Sequence, residues 1–270
     1  MPSIALATCS ALPDGWTDDA RLVELLRELG ADVRFQTWDD LDVDWSAFDL
    51  VMVRSTWDYT RRREEFVAWA HSLEGRLYNP AAIIEWNSDK RYLADLDAAG
   101  IATVPTRYVG PADPPPRLDG EVVVKPSISA GARDTGRFGP ALHDQALELI
   151  ARIADGGRTA MVQPYLDAVS EQGETSIVCF EGAESHVLRK REVLGDAGIA
   201  LLLGPGKFPI SVVALARWLC VGVVVWSIVT FSEPASSPMT RGVRPGPLPW
   251  LIGRRPRRSG SAKVWTPLPP

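Results

Sequence analysis

The chain has 270 residues, a length that suits one or two domains. Its apolar fraction of 46% is that of an ordinary globular protein, and its formal charge of −5 gives no general case for nucleic-acid binding. Three cysteines (Cys9, Cys179, Cys220) cannot complete a disulfide framework and none lies in a CxxC pair, which fits a reducing cytoplasm; "MPSIALATCSALPDG" has neither a basic start nor a long apolar run, so no signal peptide is expected.

"SIALATC" reads as a first strand. "DDARLVELLRELG" is an amphipathic helix with acids in its first turn and Gly30 at its end. "ADVRFQTW" and "FDLVMVRS" are the next strands, and "RREEFVAWAHSLE" a helix. Strands alternating with helices predict a parallel sheet with helical crossovers. Neither G-x-G-x-x-G nor the Walker A pattern occurs. "NSDKRYLADLDAAG" predicts one helix capped by Asn87 or Ser88 and ended by Gly100. "ATVPTRYV" is a strand and "GPADPPPRLDG" a proline-rich loop. "EVVVKP" is a strand whose unbroken apolar run suits burial on both faces. "ALHDQALELIARIADGG" is a helix. "RTAMVQPYLD", "GETSIVCFEG" and "ESHVLRKRE" are strands, so from about residue 101 the pattern is α+β.

The tail differs. Residues 199–270 hold nine Lys/Arg against the single acid Glu233, a net of +8, which leaves −13 for residues 1–198. They also hold 11 of the 22 prolines. Residues 208–231 are nearly all apolar and long enough to span a bilayer, although Pro209 and Arg217 interrupt them. Residues 234–270, rich in Pro, Gly, Ser and Arg, are expected to be disordered.

Two places carry candidate chemistry. "RSTWDY", residues 54–59, follows the third strand, at the carboxyl end of a parallel sheet where α/β proteins place ligands. Arg54 is a candidate clamp for a substrate carboxylate, Asp58 for an amine and Trp57 for a pocket wall. Equally, Trp57 and Tyr59 are packing residues and Arg54 a surface charge. The second place is "VVVKPSISAGARDT", where a buried-looking strand ends on Lys125 and runs into small, donor-rich residues, an arrangement that suits an anion, or on these residues alone a surface lysine followed by a turn. Lys90 lies 35 residues earlier, and "MVQPYLDAVSEQGETSIV" begins 36 residues later. His71, His143 and His186 are scattered without metal-ligand spacing.

Two lysines, a small-residue loop, a Q-x-x-x linker and a downstream acid, in this order and spacing from about Asp89 to Lys190, resemble the ATP-grasp ligases. "VRSTWDYTRRREEFVAWA" and "LYNPAAIIEWNSDKRYL" resemble a narrower branch, that of the O-ureido-D-serine cyclo-ligase of D-cycloserine biosynthesis. The resemblance implies an N-terminal α/β parallel-sheet subdomain (1–86), then α+β ATP-grasp lobes (87–198), the last one incomplete, before the atypical tail (199–270). It implies ATP and Mg2+, and a small-molecule carboxylate activated as an acyl phosphate for attack by an amine.

Residue by residue, it puts Lys90 and Lys125 on ATP phosphates and folds the loop 127–136 over them, Ser129 and Gly131 included. Gln163, Pro164, Tyr165 and Leu166 would present backbone groups to adenine. Glu174 would hold the ribose or lie near the metal, and Arg189 and Lys190 would stand by the reacting phosphate. From the residues alone, Lys90 is also a surface ion-pair partner, Glu174 a solvated strand-start acid, and Arg189 with Lys190 an edge-strand charge guard. The family's closing acidic strand pair for magnesium has no counterpart. After Glu192 only Asp196 and Glu233 remain, so the metal ligands are unassigned and turnover is expected to be impaired. The break reads as a frameshifted or otherwise altered C-terminus. The competing reading is a non-catalytic nucleotide-binding protein attached to a membrane through residues 208–231.

Overall fold

The structure, a computed structural model, describes residues 1–73, 75–180, 183–190, 198–199, 210–212 and 224–226. The predicted parallel sheet is present. Strands β1 (Ser3–Thr8), β2 (Asp32–Thr37), β3 (Leu50–Ser55) and the two-residue β4 (Leu77–Tyr78) lie in the order β2-β1-β3-β4, every pair parallel. Helices α1 (Asp19–Glu28), α2 (Arg63–Ser72) and α3 (Ala81–Asn87) cover it. Alternation along β1 explains the layering: Ile4 and Leu6 pack with Val23 and Leu26 of α1, while Ala5 and Ala7 face Phe66 and Ala70 of α2. Most of the aromatic residues of this region are core. Trp38 meets Phe66 at 5.2 Å, and Trp69 meets both Phe66 (5.3 Å) and Trp45 (5.2 Å).

Beyond α3 come α4 (Tyr92–Ala98), β5 (Arg107–Val109), β6 (Val122–Pro126), β7 (Gly136–Phe138), α5 (His143–Asp155) and β8 (Ala160–Pro164). They are followed by α6 (Asp167–Gln172), β9 (Glu174–Phe180), β10 (Ala183–Lys190), β11 (Gly198–Ile199), β12 (Ile210–Val212) and β13 (Val224–Trp226). Two antiparallel sheets result, β11-β7-β6-β8-β5 and β12-β10-β9-β13. In the first, α5 lays Ala146, Leu149, Ile150 and Ile153 on Val122, Val124, Phe138, Ala160 and Val162.

Three expectations change. The stretch 87–100 is two short helices, α3 and α4, with Lys90 in the turn between them. The strand predicted over 102–109 shrinks to Arg107–Val109; proline at 105 removes the N–H a longer strand would need. β6 is covered on one face only: Val122, Val124 and Pro126 are buried, whereas Val123 and Lys125 are half-buried. An apolar run therefore misled, because the face carrying Val123 and Lys125 is only partly covered. Of residues 208–231, only 210–212 and 224–226 are described, both as strands beside the β9–β10 hairpin. Asp196, Arg217, Glu233 and the rest of the tail lie outside the described residues. Among the described residues no helix is long and apolar enough to cross a membrane.

Candidate functional site

The antiparallel register builds one side of the site. Lys125 is paired with Met161, Val123 with both Gln163 and Arg137, and Tyr108 with Met161. Directly opposed residues share a face, so Lys125, Gln163, Arg137 and Tyr108 stand on the sheet face away from α5.

Lys90 is brought to this face by the turn after α3. Its backbone N–H donates to Ser127 O at 2.9 Å, and the Tyr108 hydroxyl donates to Lys90 O at 3.1 Å. Its ammonium donates to Ser129 O (2.7 Å), to Ser129 Oγ (3.1 Å) and, longer, to Ser127 O (3.4 Å). The loop after Lys125 thus holds the other lysine. Burial lowers the Lys90 pKa from 10.5 to about 8; the nearby charge of Lys125 pushes the same way, against the pull of Asp89. Two cations placed together in a half-buried site call for an anion. Asp89, itself buried, accepts from Arg91 at 2.7 Å. Its burial acts to raise its pKa but is outweighed by hydrogen bonds from Arg91 and Ser127, so the pKa is lowered. It stays charged beside the lysines.

The loop between β6 and β7 turns tightly. Gly131, Ala132 and Asp134 have φ of 65°, 58° and 52°. Only glycine takes such values freely, so Ala132 and Asp134 carry strain; Arg158 pins Asp134 with a 2.7 Å ion pair. Ser129 is Lys90's partner here, where the sequence suggested a direct donor to the anion.

The linker after β8 is partly committed. Tyr165 N–H donates to Glu121 O at 2.8 Å, and Leu166 O accepts from Val169 N–H at 2.9 Å. The buried Gln163 side chain donates to Thr106 Oγ1 at 2.7 Å, while Pro164 is exposed. The backbone groups of Tyr165 and Leu166 are therefore fewer for a ligand than the sequence suggested. Arg137 was missed by sequence reasoning. Its guanidinium lies 3.4 Å from the Tyr165 ring centroid and pairs with Glu121 at 2.8 and 3.2 Å. No local motif announces it; it depends on β6–β7 register.

Glu174 opens β9 opposite Lys190 of β10, and Arg189 pairs with Thr175. The side chains of Glu174, Arg189 and Lys190 lie outside the described residues.

The second candidate place sits at the carboxyl end of β3. Arg54 is not an open clamp. Its Nε donates to Asp19 Oδ1 at 2.8 Å and its Nη2 to the same oxygen. Asp19 is almost completely buried and also accepts from Trp16 N–H (3.0 Å) and Ser55 Oγ (3.2 Å). The sequence offered Asp19 only as a first-turn helix acid; the structure makes it an internal counter-ion. Asp58 is likewise engaged, accepting from Trp38 Nε1 at 2.9 Å and from Arg62 Nη2 at 3.4 Å. Trp57 remains 41% exposed, with its ring 5.0 Å from that of Trp16. Of the three residues expected here, Trp57 is the most exposed.

Residues 4–79 match the family described as D-cycloserine synthetase DcsG, N-terminal domain. The chain is 35% identical over 192 residues to the cycloserine biosynthesis protein DcsG of Streptomyces lavendulae, covering 66% of this chain and 63% of that protein. It thus spans just under two thirds of that curated relative. The crystal structure of D-cycloserine synthetase DcsG superposes with a TM-score of 0.65 at 32% identity, over 74% of this chain and 71% of that one. The D-alanine–D-alanine ligase of Bacillus anthracis shares the fold, with a TM-score of 0.53 at 14% identity over 80% and 73% of the two chains; its structure complexed with ATP scores 0.51.

Proposed function

We propose a function from the family to which this chain belongs, the ATP-grasp superfamily in its D-cycloserine synthetase branch. The chain is an ATP-dependent ligase that joins a small-molecule carboxylate to an amine or related nucleophile. ATP transfers its γ-phosphoryl group to the carboxylate, ADP departs, and the nucleophile displaces phosphate from the acyl phosphate. The observation that carries this reading is the docking of the Lys90 ammonium on Ser129, in the loop that follows Lys125. Both lysines then flank one anion path, and such a reaction depends on neutralising and aligning a triphosphate.

The division into 1–86, 87–198 and 199–270 belongs to this reading, with substrate held by the first part and nucleotide by the second. Trp57 walls the acceptor pocket, and Arg54 serves it through the N–H groups that Asp19 leaves. Pro164 O and the Leu166 N–H face adenine, and Glu174, Arg189 and Lys190 close the site from the β9–β10 hairpin. Among the described residues no three acidic or other metal-ligating side chains gather.

The test is phosphate release from ATP by the purified full chain, with magnesium and a panel of amino-acid carboxylates and amines. Carboxylate-dependent release slower than about 1 s⁻¹, the low end for typical enzymes, is the expected result. ATP hydrolysis indifferent to every carboxylate would count against a ligase. ATP binding without turnover, together with partition into membranes, would favour the nucleotide-binding alternative.

Lys90 gives the site a pH signature. With its pKa at about 8 instead of 10.5, it is largely protonated at pH 7 and half protonated near pH 8. Between about pH 8 and 10.5 the unfolded chain holds this proton and the folded one does not, so this lysine makes stability rise with pH through that window. A bound triphosphate favours the charged form and draws the pKa back up. ATP binding at pH 8 should then take up about half a proton, and affinity should fall roughly tenfold per unit well above pH 8. The last ionisation of a phosphate ester, near pH 6, lies clear of this range. Calorimetry at pH 8 in buffers of different ionisation enthalpy measures the uptake. Lys90→Arg, charged throughout, should abolish it; uptake unchanged in that variant would remove Lys90 from the phosphate site.

A further inference from the structure

We infer that Arg63 is a positioning residue for Lys90: through this side chain the N-terminal sheet unit holds the turn that presents the phosphate lysine. The inference rests on the reading of Lys90 as a phosphate ligand and names what sets its place. Arg63 opens α2, just after the 3-10 helix Trp57–Arg61 that follows β3. It belongs to "RRREEF", three cations at a helix N-terminus, where the helix dipole disfavours positive charge. Local preference does not account for them, so their partners do. Arg62 turns back into the sheet unit, to Asp39 and Asp58 and over the Trp38 ring at 4.7 Å. Arg63 turns the other way, to the end of α3. Its Nε donates to Ser88 Oγ at 2.8 Å and its Nη2 donates to Glu85 O. Ser88 Oγ in turn donates to Glu85 O at 3.0 Å. One guanidinium thus closes the carbonyl end of α3, where the dipole favours a cation, and fixes the first residue of the turn that follows.

That turn has little slack. Ser88 and Asp89 are both buried, and Lys90 is two residues beyond Ser88, so a displacement of Ser88 passes on to Lys90. Asp89 accepts from the Ser127 hydroxyl, and Lys90 N–H donates to Ser127 O at 2.9 Å. Tyr59 joins the contact from the sheet side. Burial raises its pKa, and the opposed charges of Arg63 and Asp89 both act on it, so the three groups lie together. The β6–β7 loop therefore holds Lys90 from one side, through Ser127 and Ser129, and Arg63 holds its turn from the other. Without the second hold the turn gives, water reaches the ammonium, and its ionisation returns toward that of a free lysine.

The first measurement needs no ATP. The nucleotide-free full chain is trace-acetylated with acetic anhydride across a range of pH, and peptide mass spectrometry follows Lys90. Its reactivity midpoint in wild type should lie near pH 8. Arg63→Ala should raise the midpoint by about one pH unit or more, so that Lys90 reacts about fivefold more slowly at pH 8. The charges acting on Lys90 are those of Lys125 and Asp89. Ser88→Ala alters no charge and should raise the midpoint in the same way, which separates position from electrostatics. Arg63→Lys keeps a donor for Ser88 and should stay within about half a pH unit of wild type. His71→Ala is the control: it removes a different contact between α2 and α3, His71 Nε2 to Glu85 Oε2 at 2.8 Å, and should leave the midpoint unmoved. ATP affinity should fall about three- to tenfold in Arg63→Ala, with no further loss when the same change is made in Lys90→Ala. A midpoint unmoved in both Arg63→Ala and Ser88→Ala, or moved as far by His71→Ala, would overturn the inference. A midpoint that moves while ATP affinity holds would keep Arg63 as the residue that places Lys90 and would instead remove Lys90 from the phosphate site.

Discussion

Lys125→Ala should weaken ATP binding by about 10- to 150-fold, the effect of losing one charge-assisted hydrogen bond worth ~1.5–3 kcal/mol. Lys125 stands half-buried on the open face of β6, and its charge already depresses the Lys90 pKa. In water an extra lysine would add little to phosphate binding. On a sheet face that excludes part of the solvent, each charge counts for more. The variant should leave the thermal midpoint nearly unchanged, because Lys125 is not part of the apolar cluster beneath β6. Its absence also relieves Lys90 of a like charge, so the proton uptake that accompanies ATP binding should move to higher pH. Titration of wild type and variant with ATP measures the first effect, and the buffer series at several pH values the second. Equal nucleotide affinities would sink the assignment of Lys125.

Arg54→Ala should act in the opposite manner, costing stability and sparing nucleotide affinity. Its partner Asp19 has a side chain only 2% exposed, and Arg54 itself is 29% exposed. Removing the cation leaves a buried carboxylate with the Trp16 N–H and the Ser55 hydroxyl but no counter-charge. Breaking a buried ion pair on one side costs about 3–5 kcal/mol, and the partial exposure of Arg54 points to the lower figure. At about 2–4 °C per kcal/mol for a chain of this size class, the midpoint should fall by roughly 6–12 °C. The double variant Asp19→Asn, Arg54→Met should recover part of the loss, since no unpaired charge then remains. ATP affinity of Arg54→Ala at a temperature where it is folded should stay within about twofold of wild type. A midpoint within about 1 °C of wild type would show that Asp19 finds other compensation. An ATP affinity falling as far as in Lys125→Ala would place Arg54 in the nucleotide site.

The two residues show how differently a sequence announces its lysines and arginines. Lys125 stood out as a candidate because it stands at a strand end, in a run whose neighbours are unlike it, with a second lysine 35 residues before it and a linker 36 residues after it. Arg54 was legible as a charge at the end of β3, but its partner was not. Asp19 is one of several acids in "TDDARLVELL", and nothing in that string separates it from Asp18. Folding decides, by placing α1 over β3 so that Asp19 alone turns inward.

Periodicity and turn residues by themselves determined the parallel α/β start, the antiparallel continuation and the long amphipathic helix α5, because burying one face at a fixed repeat is a local constraint written in the order of residues. The order of Lys90, Lys125 and the linker carried the resemblance to the ATP-grasp ligases, and the similarity to D-cycloserine synthetase DcsG supports it. Tertiary structure alone decided that Lys90 sits in a turn and leans on Ser129, that β6 buries one face and opens the other, and that Arg137 covers Tyr165. Those outcomes depend on register and on which distant chains come within 3 to 4 Å of each other. A polar side chain takes its partner from whatever the fold brings near, and burial makes that choice energetically binding.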